Sequence, residues 1–284
     1  MPMSWPYRFK SVSPAEVQHR RDVLNLRGYY AQSSALVVIF GIFVYRNYFR
    51  KDSTRRAKKI SWWDSPPFQG WTETRRQYFI TLLWLGWLLS LSVWNTGDDY
   101  LHFTKALGHV SLSQLPFQFL LSPTSFIFTS NPALPSILSV MTSIPQPALT
   151  PYHRLFGRLV VLPLLLGHGA LYLLFFAQSS HPDFGTLLMK RVQDPDVQWG
   201  LAGLGLALSV LLFQRRTPRT LGSLLGYRKR TFYVVHLSLV AGMLAAAWFH
   251  VIYARVFVLE AVGIFLANIA CCWALAESKR TPRT

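Results

Sequence analysis

Long apolar runs alternate along the chain with short polar connections, and several of the runs approach or exceed the roughly 18 residues that a membrane-crossing helix needs. Seven such stretches can be drawn, at about 30–48, 78–95, 104–128, 153–177, 197–213, 231–252 and 255–276. Tyr29, Tyr30, Trp94, Tyr100, Trp199, Tyr227 and Tyr253 sit at their ends, where an interfacial aromatic belt would lie. The pattern predicts an all-α, polytopic membrane bundle of about seven transmembrane helices. Residues 129–152 hold five prolines and cannot form one regular helix. A connection with a short interfacial helix at Ile137 to Thr142 is expected there, ending where His153 opens the fourth span.

Charge sorts the connections by side. Residues 46–77 are strongly basic, residues 214–230 carry six Arg or Lys and no acid, and the tail ends ESKRTPRT. These alternate with NTGDDYLHF, with an Asp-containing loop at 179–198, and with a short turn at 253–255. By the excess of cations on the inner side, loops 46–77 and 214–230 and the C-terminus are cytosolic and the N-terminus is outside. The expected organisation is therefore an N-terminal tail (1–29), a first transmembrane helix (30–48), a basic cytosolic loop (49–77), a membrane domain (78–276) and a cytosolic tail (277–284). The N-terminus has no compact apolar region with a small-residue cleavage site, so the first span is expected to do the targeting.

Composition agrees with membrane residence: 51% of residues are hydrophobic and 14% charged. The net charge of +17 would suggest nucleic acid in a soluble protein, but the cations lie in short connections, so topology explains them and no nucleic-acid partner is expected. The plasma membrane is the first expectation and an internal membrane the second. Cys271 and Cys272 are adjacent and form neither a zinc nor a disulfide spacing.

The candidate chemistry lies in four histidines. His153 and His168 stand in the fourth span, and His236 and His250 in the sixth. With both spans running outward from the cytosol, His153 faces His236 on the inner side and His168 faces His250 on the outer side. An axial imidazole pair can hold a haem iron for one-electron transfer, whereas proton relays or structural hydrogen bonds are the alternatives for polar groups in a span. Small residues nearby (Gly157, Gly167, Gly169, Gly242, Ala246, Ala247) would let a macrocycle approach the backbone. Arg154, Arg158, Arg228, Lys229 and Arg230 would supply counter-charges to propionates, topology being the competing explanation. The second pair is fourteen residues apart and the first fifteen, an extra step that turns a regular helix by about 100°. Pro163 cannot donate to the Leu159 carbonyl, so a π-type bulge between about Leu159 and Gly167 is predicted to absorb the extra residue. His102 and His109, near the outer end of the third span, and His181 are expected at solvated or interfacial positions, and Glu260 and Asn268 are expected to face the bundle.

YHRLFGRLVVL followed by HGALYL, YRKRTFYVVH followed by WFH, and more loosely KALGHVSLSQLPFQFLL resemble the ferric reductase-like transmembrane domain shared by metalloreductases and NADPH oxidases. The resemblance covers about residues 104–276. It implies a six-helix haem-binding core with His153, His168, His236 and His250 ligating two b haems. It further implies electrons passing from cytosolic NADPH and FAD to an outside acceptor, ferric or cupric chelates in one branch and oxygen in another. Loop 214–230 would face the flavin domain. That family's enzymes continue into a FAD and NADPH domain, which these residues do not contain, so the chain is expected to be the membrane part of a longer reductase or to take electrons from a separate partner. A haem-binding subunit of another redox system, a superoxide-producing oxidase, and a non-haem transporter or proton channel complete the alternatives.

Overall fold

The computed structural model describes residues 13–49, 61–127, 134–213 and 229–278. Its elements are almost all helical. Helix α1 (Pro14–Val44) starts on a Ser13 cap with proline in its first turn and runs on through a π turn to Phe49. The apolar run from about residue 30 is thus the second half of a longer helix. Helix α2 (Arg75–Val93) opens on a capping box between Thr74 and Gln77. Asp99 caps α3 (Tyr100–Ser113), accepting from the Leu101 and His102 amides, and its other oxygen pairs with Arg20 of α1.

The third predicted span is not one helix. It breaks at Gln114 into α3 and the short α4 (Leu115–Leu120), followed by a 3-10 turn at Thr124–Ile127. Pro116 explains the break, since it lacks an amide proton and is tolerated in the first turn of a helix but not inside one. Beyond residues 128–133 comes α5 (Ile137–Thr142), at the predicted place. Helices α6 (Gln146–Phe156) and α7 (Leu162–Gln178) are joined without interruption by a π turn at Gly157–Val161, making a 33-residue helix about 50 Å long. A two-residue hairpin and α8 (Leu187–Arg191) lead to α9 (Pro195–Leu212). Helices α10 (Lys229–His250) and α11 (Arg255–Ser278) complete the chain.

Among the described residues, five helical stretches are long and apolar enough to cross a membrane: Pro14–Phe49, Gln146–Gln178, Pro195–Leu212, Thr231–His250 and Ile252–Glu277. Helix α3 is buried nearly all round, between α1, α2 and α7, and its Ala106, Gly108, Ser111 and Ser113 allow those neighbours close. Helix α7 continues the circuit to α9, α9 to α10, α10 to α11, and α11 returns to α4. Helices α7 and α10, which carry most of the candidate histidines, have no extensive contact with each other. Leu36, Phe40, Leu83, Leu259 and Leu266 point outward, as a lipid-facing surface requires.

Candidate functional site

The four histidines pair as the parallel arrangement predicts. His153, in the last turn of α6, is an electrostatic neighbour of His236 in α10. The imidazoles of His168 and His250 stand 6.3 Å apart between ring centres, at 53° to each other. Two imidazole nitrogens on opposite sides of one metal ion, with bonds of about 2 Å each continued about 1 Å to the ring centre, would span about 6 Å. The outer separation therefore fits a shared metal.

Neighbouring helices fix three of the rings through backbone carbonyls. Nδ1 of His153 donates to the Gln118 carbonyl at 3.1 Å, that of His168 to Thr104 at 2.8 Å, and that of His250 to Asp196 at 2.6 Å. A carbonyl can only accept, so the ring proton resides on Nδ1 and the Nε2 lone pair is left for a metal. His236 has no such bond among those described; its ring stacks on Phe232, one turn earlier, at 5.6 Å and 11°. Glycines let the bracing helices approach. A β-carbon on Gly108 would come within 2.9 Å of the His168 ring, and one on Gly200 within 2.7 Å of the His250 ring.

The π turn lies at Gly157–Val161, overlapping the N-terminal edge of the predicted window. Its position follows from Pro163: the ladder must widen on the N-terminal side of the missing donor. Ser111 of α3 gives the Val161 carbonyl a second donor at 2.8 Å. With the extra residue absorbed, His168 stands against His250 on α10 while His153 lies on the side of His236.

The small residues near the histidines have other neighbours than those expected. Gly157 admits the Gln118 amide, Gly169 admits Leu204, Gly242 admits Leu206, and a β-carbon on Gly203 would touch Ala246. They serve helix packing, chiefly against α9, and of the glycines named only Gly167 has open space beside it. Arg154 and Arg158 also have protein partners. Arg154 Nε donates to Glu73 at 3.0 Å, and Arg158 donates to the Tyr78 hydroxyl at 3.0 Å with Glu73 at 4.0 Å. Arg228 lies outside the described residues, as do the side chains of Lys229 and Arg230.

His102 and His109 are not solvated, contrary to expectation: α1 covers that side of α3 and leaves them 6% and 7% exposed. His102 contacts Arg27 at 3.2 Å, and the His109 ring stands edge-on to Phe257 at 5.0 Å. His181 sits in the small hairpin after α7, half-buried. Asn268 does face the bundle, accepting from the Ile137 amide at 2.9 Å and donating to the Phe119 and Ser122 carbonyls. Glu260 accepts from Gln32 of α1. Among the described residues no cluster of three or more His, Cys, Asp or Glu side chains could hold a metal.

Sequence reasoning missed Gln118, Gly108, Gly200 and Glu73. Gly108 and Gln118 lie in the loosely matched string of the third span, which was the available signal. The acceptors at Thr104 and Asp196 are backbone atoms, which no side-chain pattern marks.

Residues 107–247, about half of the chain, match the family model described as ferric reductase like transmembrane component. The match contains His153, His168 and His236 and stops three residues before His250. No curated protein and no solved structure matches the chain.

Proposed function

We propose that this chain, an integral multi-pass membrane protein whose residues 107–247 belong to the ferric reductase-like transmembrane family, carries electrons across the bilayer on two b haems. Membership of that family implies an oxidoreductase and transmembrane electron transfer in general; the haems, the donor and the acceptor are our reading. His153 and His236 would hold the inner haem and His168 and His250 the outer. The observation that carries the proposal is the outer pair, 6.3 Å between ring centres with both Nδ1 protons engaged by carbonyls.

Bound there, a haem supplies an iron that takes and gives one electron at a time without bonding the substrate. The chain does the rest. Thr104, Gln118 and Asp196 hold the rings and their tautomers. Leu155, Val160 and Leu164 keep water from the helix between the two levels. Arg154 and Arg158 supply positive charge at the inner level. A proton relay fits less well, because a relay ring must exchange protons at both nitrogens and three Nδ1 protons are already committed. The donor would be a flavin and NADPH module outside these residues, meeting loop 214–230, and the acceptor a ferric or cupric chelate on the far side.

The test is a reduced-minus-oxidised spectrum of the purified protein with haem counted per chain. Two haems with split α bands are expected, and a chain without a Soret band would overturn the reading. Ferrous chelate formed at the outer face by the protein coupled to its donor would support the acceptor, whereas superoxide formation would move it to oxygen.

A further inference from the structure

Glu73 is 5% exposed, and it sits just before the Thr74 cap of α2, where α2 packs against α6 and the π turn. Its two oxygens face the two arginines of the HRLFGR string, Oε1 at 3.0 Å from Arg154 Nε and Oε2 at 4.0 Å from an Arg158 terminal nitrogen. Arg154 also reaches Thr72 at 3.4 Å, and Arg158 the Tyr78 hydroxyl at 3.0 Å. The arginines are one helical turn apart on one face, and Arg154 follows His153 directly. A buried carboxylate is costly unless cations pair with it. Here two guanidinium groups share a single carboxylate, so among the described residues this cluster carries one net positive charge beside the inner histidine.

We infer that Glu73 is a positioning residue for the inner site: by holding Arg154 and Arg158 and cancelling one of their two charges, it sets how readily that site accepts an electron. The inference rests on the haem reading above. A fixed negative charge near a redox centre favours its oxidised, more positive form, and the effect is large where water is excluded. Glu73 therefore holds the inner site lower in potential than the two arginines alone would, which preserves the drop toward the outer site.

The experiment is a redox titration of the purified protein, read by the haem bands after haem has been counted per chain. Glu73→Gln is expected to shift the inner equilibrium about tenfold toward reduced, which for one electron is about 59 mV upward. The outer site should stay in place. Glu73→Asp keeps the charge and should titrate close to the unaltered protein, and Arg158→Gln should move the inner site in the opposite direction. Unchanged inner potential in Glu73→Gln with both haems bound would overturn the inference, as would equal shifts in Glu73→Gln and Glu73→Asp, the mark of a packing effect. If Glu73→Gln does not fold, Arg158→Gln carries the test: a lowered inner potential supports the inference and an unmoved one overturns it. An unaltered protein without haem would instead overturn the functional reading itself, so the two failures are distinguishable.

Discussion

At the scale of single residues, Gly200 shows how little room the outer site has. A β-carbon there would lie 2.7 Å from Cε1 of His250, closer than real β-carbons come, so the ring would have to turn and strain its bond to the Asp196 carbonyl. Gly200→Ala is therefore expected to weaken outer haem binding by about 10-fold or more, the usual cost of disturbing a ligand's support. Haem titration measures this, with Gly205→Ala as the control, since nothing lies within 4 Å of a β-carbon at 205. His250→Ala should go further, abolishing the outer haem and sparing the inner, and unchanged haem content would remove His250 from the ligand set. Asn268 tests stability rather than chemistry. Asn268→Ala leaves the Ile137 amide without its acceptor and takes one donor from each of the Phe119 and Ser122 carbonyls, and should cost about 1–3 kcal/mol, seen as a lower melting temperature.

At the scale of elements, the π turn at Gly157–Val161 reconciles a fifteen-residue spacing on one helix with a fourteen-residue spacing on the other. Deleting Leu159 should return that segment to regular α-helix and keep both histidine pairs. Haem counting is the check: two haems per deleted chain are expected, and loss of the outer one would mean that the turn does not set the register. Five of the seven predicted spans, the proximity of the histidines, the short α5 and this bulge were legible in the sequence, because apolar run length, intramembrane polar residues and one proline report directly on local structure. The break of the third span was harder to see, since Pro116 lies in an otherwise unbroken apolar run and the buried Gln114 beside it is satisfied by a partner thirty residues away, Trp84. Glu73 was invisible for a similar reason: it lies 81 residues from Arg154, and only the folded chain brings α2 beside α6.

At the scale of the whole molecule, the balance of cations between connections gives the expected orientation of the bundle, with loops 46–77 and 214–230 inside. Single cysteines at Asn95 and at Thr220, introduced after replacing Cys271 and Cys272, should be labelled by an impermeant reagent from opposite sides, Asn95 from outside. Labelling from one side would reverse or refute the assigned topology. The arrangement of helices also has a consequence for where the chain tolerates change. Helix α9 bears no candidate ligand, yet it packs against both α7 and α10, and a β-carbon at Gly169, Gly200, Gly203 or Gly242 would press on a side chain of the facing helix. It acts as a calliper, its thickness setting the gap that the imidazoles bridge. A scan that enlarges one residue at a time should thus find damaging positions on a helix with no histidine, where a single added methyl group shifts the helices that carry the ligands.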